Sequence, residues 1–379
     1  MNQKTKLYKK EKAHYSNKNE IYSKKSTGSF ISPFSFTMDP MEKLILINFE
    51  KDSDTFYNVF ELQQAIDKEG NKKFLVVAYR KDGATDVYHQ RNFPFASQST
   101  ILNDVEFIER DMTTTKFDIF SDHLDLYFDF IDKYGREISV SLFENKLDKK
   151  SPFFLLAPIG VVSKHPVSFP IYSLYEMAFV KQKNAELKIE IDKKQHKPDT
   201  FPIPIECGKN FLTRYSADAF NIDWNKKFEG ELSHLIPTNN VIEEKGITYQ
   251  LINNEGHYEI KRMSATHRRH QINIDFEPPI PDIISIKEKI ENIGSFTIST
   301  DKNRGIIKGD YSILKQDNDI VMTLRPIGGW QPNEKRWILK FMFLIIKIFK
   351  DWPKSYIWKA SIKTENPEKV IMKSCWERI

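Results

Sequence analysis

Apolar residues recur at every second position along most of this chain, a period that confines it to extended strands with one buried face. Leu124, Leu126, Phe128 and Phe130 fall on one face, with Asp125, Tyr127 and Asp129 between them. After the turn-like Asp132-Lys133-Tyr134-Gly135 the pattern resumes in Ile138, Val140 and Leu142, which predicts a hairpin. The same period marks Leu187, Ile189 and Ile191, then Ile272, Ile274 and Phe276, then Ile320, Met322 and Leu324. Asp82-Gly83, ahead of Val87 and Tyr88, and Asn253-Asn254-Glu255-Gly256 supply further turns between strands. The chain is predicted to be mainly antiparallel β. Because unpaired strand edges invite pairing with other chains, closed barrels or stacked sandwiches are expected.

Two stretches depart from the period. Residues 58–66 read as a short helical stretch whose apolar positions also fit a strand. Residues 336–350 are apolar around most of a helical circumference, with Arg336, Lys340, Lys347 and Lys350 close to one stripe. Such a C-terminal helix is expected to be buried against a sheet; the other reading is an in-plane membrane helix whose lysines reach the headgroups. It falls short of the roughly 20 apolar residues that span a bilayer. The strand pattern breaks at Asn225-Lys226-Lys227 and at Pro237-Thr238-Asn239-Asn240. With 379 residues, the expectation is two successive β-barrel or sandwich units, residues 41–230 and 231–379, behind a tail of residues 1–40.

The net charge of +5 resides in that tail, where eight Lys face Glu11, Glu20 and Asp39. The remainder carries 49 basic and 49 acidic side chains, so its charge is zero and no nucleic-acid partner is expected. Rich in Lys, Ser, Asn and Tyr, the tail reads as disordered, solvated and basic. It lacks the apolar stretch of a secretory signal, and Met38 or Met41 would serve as alternative starts without it. Cys207 and Cys375 lack metal or disulfide spacing and fit a reducing, cytoplasmic setting.

Nucleotide-binding glycine loops, zinc spacings and nucleophile elbows are all missing, so neither cofactor nor metal is expected. The densest constellation is residues 213–225. If extended, Arg214, Ser216 and Asp218 share one side. Asp218 is the candidate catalytic acid, Arg214 its orienting partner, and Tyr215 with Trp224 the pocket wall; the competing readings are a structural ion pair and a solvated corner joining the two units. His196, in the stiff loop with Pro198 and Asp199, is a further candidate for proton transfer or substrate binding. His165-Pro166 belongs to another rigid loop. His267-Arg268-Arg269-His270 precedes a strand, on which the two imidazoles would face opposite ways, so it does not predict a metal site.

Aromatic residues reach 13%, and a wide barrel lined by them would hold an apolar ligand. Two successive β units, together with the run Tyr127-Phe128-Asp129-Phe130-Ile131-Asp132-Lys133-Tyr134-Gly135-Arg136-Glu137, resemble the tandem lipocalin-like barrels of the hydroxyneurosporene synthase and AttH-like group. The resemblance is architectural and transfers no catalytic residue. It implies cofactor-free hydration, isomerisation or cyclisation of an apolar small molecule. The alternatives are a non-catalytic lipid-binding protein, touching a membrane through residues 336–350 and the basic tail, and an interaction scaffold with solid cores.

Overall fold

A computed structural model describes residues 21–23, 26, 28–39, 41–94, 107–145, 152–158, 166, 168–202, 204, 208–300, 304–345, 353–366 and 368–379. Alternating side chains become paired strands throughout. In chain order these are β1 (Phe36–Asp39), β2 (Met41–Asn48), β3 (Tyr57–Ile66), β4 (Lys72–Arg80), β5 (Thr85–His89), β6 (Phe107–Glu109), β7 (Lys116–Ile119), β8 (His123–Ile131) and β9 (Glu137–Asn145). There follow β10 (Phe153–Pro158), β11 (Phe169–Lys181), β12 (Ala185–Ile191), β13 (Lys194–His196), β14 (Asn210–Trp224), β15 (Phe228–Glu231), β16 (Val241–Glu244) and β17 (Ile247–Asn254). The last are β18 (His257–His267), β19 (His270–Ile280), β20 (Glu291–Thr300), β21 (Gly305–Gln316), β22 (Asp319–Pro326), β23 (Gln331–Pro332), β24 (Tyr356–Lys363) and β25 (Ile371–Arg378), with the helix α1 (Trp337–Ile345) after β23.

Three sheets result. A nine-stranded sheet runs β10-β11-β14-β2-β3-β4-β5-β6, with β1 also on β14. A five-stranded sheet runs β13-β12-β9-β8-β7, and an 11-stranded one runs β15-β25-β24-β22-β21-β20-β19-β18-β17-β16, with β23 on β21. Every pair is antiparallel except β5 with β6. The largest sheet is an up-and-down meander whose end strands, β15 and β16, do not pair, so among the described residues no ladder closes it into a barrel.

Two large apolar cores hold the sheets together. One lies between the strands β2 to β5 and the five-stranded sheet, and contains Phe60, Phe117, Phe128 and Val140. The other joins β10, β11 and β14 to the inward residues of the meander, among them Trp224, Phe276, Phe296, Trp358 and Trp376. Strand β14, 15 residues long, serves both: Tyr215 enters the first core and Phe220, Ile222 and Trp224 the second.

The stretch left open between helix and strand, residues 58–66, is β3. It is buried on both faces, which removes the alternation that would have identified it. The helix forms over Trp337–Ile345, and residues 346–350 lie outside the described residues. It is not buried all round: Leu339 and Phe343 face the core, whereas Trp337 and Phe341 are 74% and 53% exposed. No described helix is long and apolar enough to cross a membrane.

A solvated tail to residue 40 is not what residues 28–39 form. Phe30, Ile31, Phe34 and Phe36 are buried, and β1 pairs with the end of β14. The polar composition of this region hides four spaced apolar anchors. Upstream, Tyr22 stacks on His257 at 3.9 Å and donates to Glu259 at 2.8 Å. Residues 1–20 lie outside the described residues.

Candidate functional site

Strand β14 carries most of the predicted site residues, and the pleat distributes them. Arg214, Ser216 and Asp218 do share a face, but Arg214 is not the partner of Asp218. Its Nη1 donates to Asn48 Oδ1 at 2.7 Å and to the Leu212 carbonyl at 2.9 Å. Across the ladder, Arg214 faces Leu46, which faces Glu61. Glu61 is fully buried, and that burial raises its carboxyl above the usual range despite bonds from Gln63 Nε2 at 2.6 Å and Tyr79 Oη at 2.7 Å. Burial likewise lowers the Arg214 pKa.

Asp218 instead meets the turn between β18 and β19. His270 Nε2 lies 2.6 Å from its Oδ2, Arg269 Nη2 2.8 Å from the same oxygen, and Arg268 Nη2 2.9 Å from Oδ1. Arg268 also donates to the Ala219 carbonyl at 3.0 Å. Burial acts to raise the Asp218 pKa, but the bonds from His270 and Arg269 and the charge of Arg268 outweigh it and hold the carboxyl below its ordinary value. Tyr175 stacks on His270 with centroids 3.7 Å apart. The cluster therefore fastens the meander to the nine-stranded sheet.

The motif supplying that turn was expected to lie on one strand. The structure places His267 at the end of β18 and His270 at the start of β19, directly opposite each other, with Arg268 at φ 53° in the turn. Arginines rarely signal a two-residue turn, which normally favours Asn or Gly. Burial, aided by Arg268, lowers the His267 pKa to about 4. Among the described residues, no group of three or more His, Cys, Asp and Glu side chains is arranged to hold a metal ion.

Tyr215 and Trp224 cannot line one pocket, because they project from opposite faces of β14 into different cores. Trp224 packs on Phe296 at 5.0 Å, Trp376 at 6.0 Å and Phe34 at 6.4 Å. His196 is buried, its Nδ1 2.7 Å from the Asp52 carbonyl. Neighbouring Asp199 accepts the backbone N–H groups of Glu50 and Lys51 at 2.7 and 3.1 Å. That loop is thus pinned to the β2–β3 connection. His165 and Cys207 lie outside the described residues.

A cavity of about 130 Å³ opens elsewhere, at the end of the meander where β15 and β16 fail to meet. Phe34, Phe228, Leu232, Leu235 and Met372 supply apolar wall, together with Tyr249. Lys226, Lys245, Glu231 and Glu244 also line it, two cations against two anions. Asn225 and Ser374 belong to the lining as well, 1% and 3% exposed. Asn225 Nδ2 and Ser374 Oγ are buried and have no hydrogen-bond partner among the described residues. An unmet buried donor costs about 1–3 kcal/mol, and both atoms are shielded from water behind the surface of the cavity. Asn225 closes the constellation of residues 213–225 read from the sequence, where it was given no role. The signal available was the break Asn225-Lys226-Lys227 itself, where Asn225 adopts φ 52°.

No family model, curated protein or solved structure matches the chain.

Proposed function

We propose that this protein binds a small, mainly apolar organic molecule bearing one neutral hydrogen-bonding group, held at the open end of the meander. The observation that carries the reading is the coincidence of a 130 Å³ cavity with unpartnered polar atoms on two of its lining residues. A dry cavity of about 150 Å³ accepts benzene, so a ligand of six to eight heavy atoms is the appropriate size. Balanced charges in the lining disfavour a strongly ionic ligand, and Asn225 Nδ2 with Ser374 Oγ suits a carbonyl beside a donor, as in a carboxamide. A lipocalin-like way of using a β meander, with the ligand entering at one end, accommodates this placement. Proton donation by Asp218 gains no support, since its carboxyl is held ionised by the cations around it.

Native mass spectrometry of protein purified gently from its source tests the reading. A retained small organic compound is expected. Ser374→Ala should reduce its affinity about tenfold, the worth of one buried hydrogen bond, with no loss of thermal stability in the empty protein. A protein carrying nothing, or a compound retained equally by Ser374→Ala, contradicts the proposal.

A further inference from the structure

The wall of this cavity includes chain from far away in the sequence. Ser32, Pro33, Phe34 and Ser35 contribute to it, and they belong to a segment without regular secondary structure that lies ahead of β1. The segment is held at both ends of β15 and also meets β17, where Tyr249 Oη donates to the Phe34 carbonyl at 3.4 Å. On one side Phe30 exchanges backbone hydrogen bonds with Leu235, at 2.8 and 2.9 Å, between β15 and β16. On the other, Asn225 holds Ser35 twice: its N–H donates to the Ser35 carbonyl at 2.8 Å and its Oδ1 accepts the Ser35 N–H at 3.0 Å. Lys226 N–H adds a bond to Ser35 Oγ at 3.1 Å. Between these clamps Phe34 enters the meander and stacks on Phe276 at 5.3 Å, with Trp358 at 5.8 Å.

The same residue, Asn225, therefore pins the segment and lines the cavity. We propose that residues 28–36 form a strap whose docking and ligand binding stabilise each other. This inference rests on the cavity being a ligand site and adds its regulation. A strap that leaves takes part of the cavity wall with it, so a ligand that needs the wall must bind the docked state better, and by linkage must hold the strap down. The segment is held by separate clamps at Phe30 and Ser35 and not by a continuous ladder, so it is able to open apart from the strands around it, which gives the linkage something to act upon.

Hydrogen exchange of the full chain over residues 28–36, with butyramide as the probe and binding followed separately by calorimetry, tests both levels. At ten times its Kd, butyramide should slow exchange in the strap about tenfold while exchange in β8 and β9 stays unchanged. Phe34→Ala, and the gentler Phe34→Leu should the first not fold, should weaken butyramide binding. If butyramide binds but strap exchange does not change and Phe34→Leu binds it as well as the parent does, the linkage is wrong and the cavity reading stands. If butyramide does not bind at all, the cavity reading falls and the strap proposal with it.

Discussion

Asp218 adds a polar attachment to the apolar core that the meander shares with the nine-stranded sheet, with His270, Arg268 and Arg269 gathered on its two oxygens. Its pKa is depressed in the folded protein, so the stabilisation is complete above the carboxyl's ordinary value of 3.8 and is lost as pH falls through the lower folded value. Asp218→Ala should cost about 2–3 kcal/mol at pH 7, as expected for losing hydrogen bonds to charged groups. The penalty should shrink as pH falls below 3.8, measured by urea midpoints across that range. An unchanged midpoint at pH 7 would remove Asp218 from the attachment. At this scale the sequence was half legible. The face shared by Arg214, Ser216 and Asp218 follows from the period of two, and so does the burial of Asp218. Their partners do not, because His270 and Asn48 lie 52 and 166 residues away along the chain.

Cross-strand pairs explain why particular elements hold their register. Between β20 and β21, Gly294 faces Tyr311 and Phe296 faces Gly309, so each aromatic ring covers the glycine opposite. A Cβ at Gly309 would lie 2.0 Å from the Phe296 ring and 2.7 Å from the Arg325 carbonyl, and the second contact is backbone that cannot swing away. Gly309→Ala should therefore destabilise the meander by about 1–3 kcal/mol, the usual cost of overpacking, read as a lowered urea midpoint. Tolerance of alanine there would show that the ring is free to move. Elements with one wet face were readable from their alternation. The hairpin of β8 and β9 pairs Phe130 with Ile138 and Leu126 with Leu142, across the turn that Gly135 closes at φ 79°. Strand β3 was not, since covering both faces erases the pattern, and α1 was misread because an apolar helix does not reveal which side stays wet.

At the scale of the molecule, three sheets share two cores, and the largest sheet remains unclosed by its own strands. Chain from the polar, lysine-rich end is held beside β15 and β17, in a role that depends on Phe30, Ile31, Phe34 and Phe36 and not on its charge. Composition averages over such anchors, which is why the sequence pointed to a tail. The same average over aromatic residues pointed to a wide cavity. In the folded chain Phe34, Trp224, Phe276 and Trp358 fill the meander against one another, and the cavity described sits at its end. The central claim is that this end cavity is a ligand site. A high-resolution crystal structure of protein purified without denaturation tests it most directly. The account predicts density for an organic molecule within hydrogen-bond distance of Asn225 Nδ2 and Ser374 Oγ, packed against Phe34. A cavity holding only ordered water on those two atoms would contradict it.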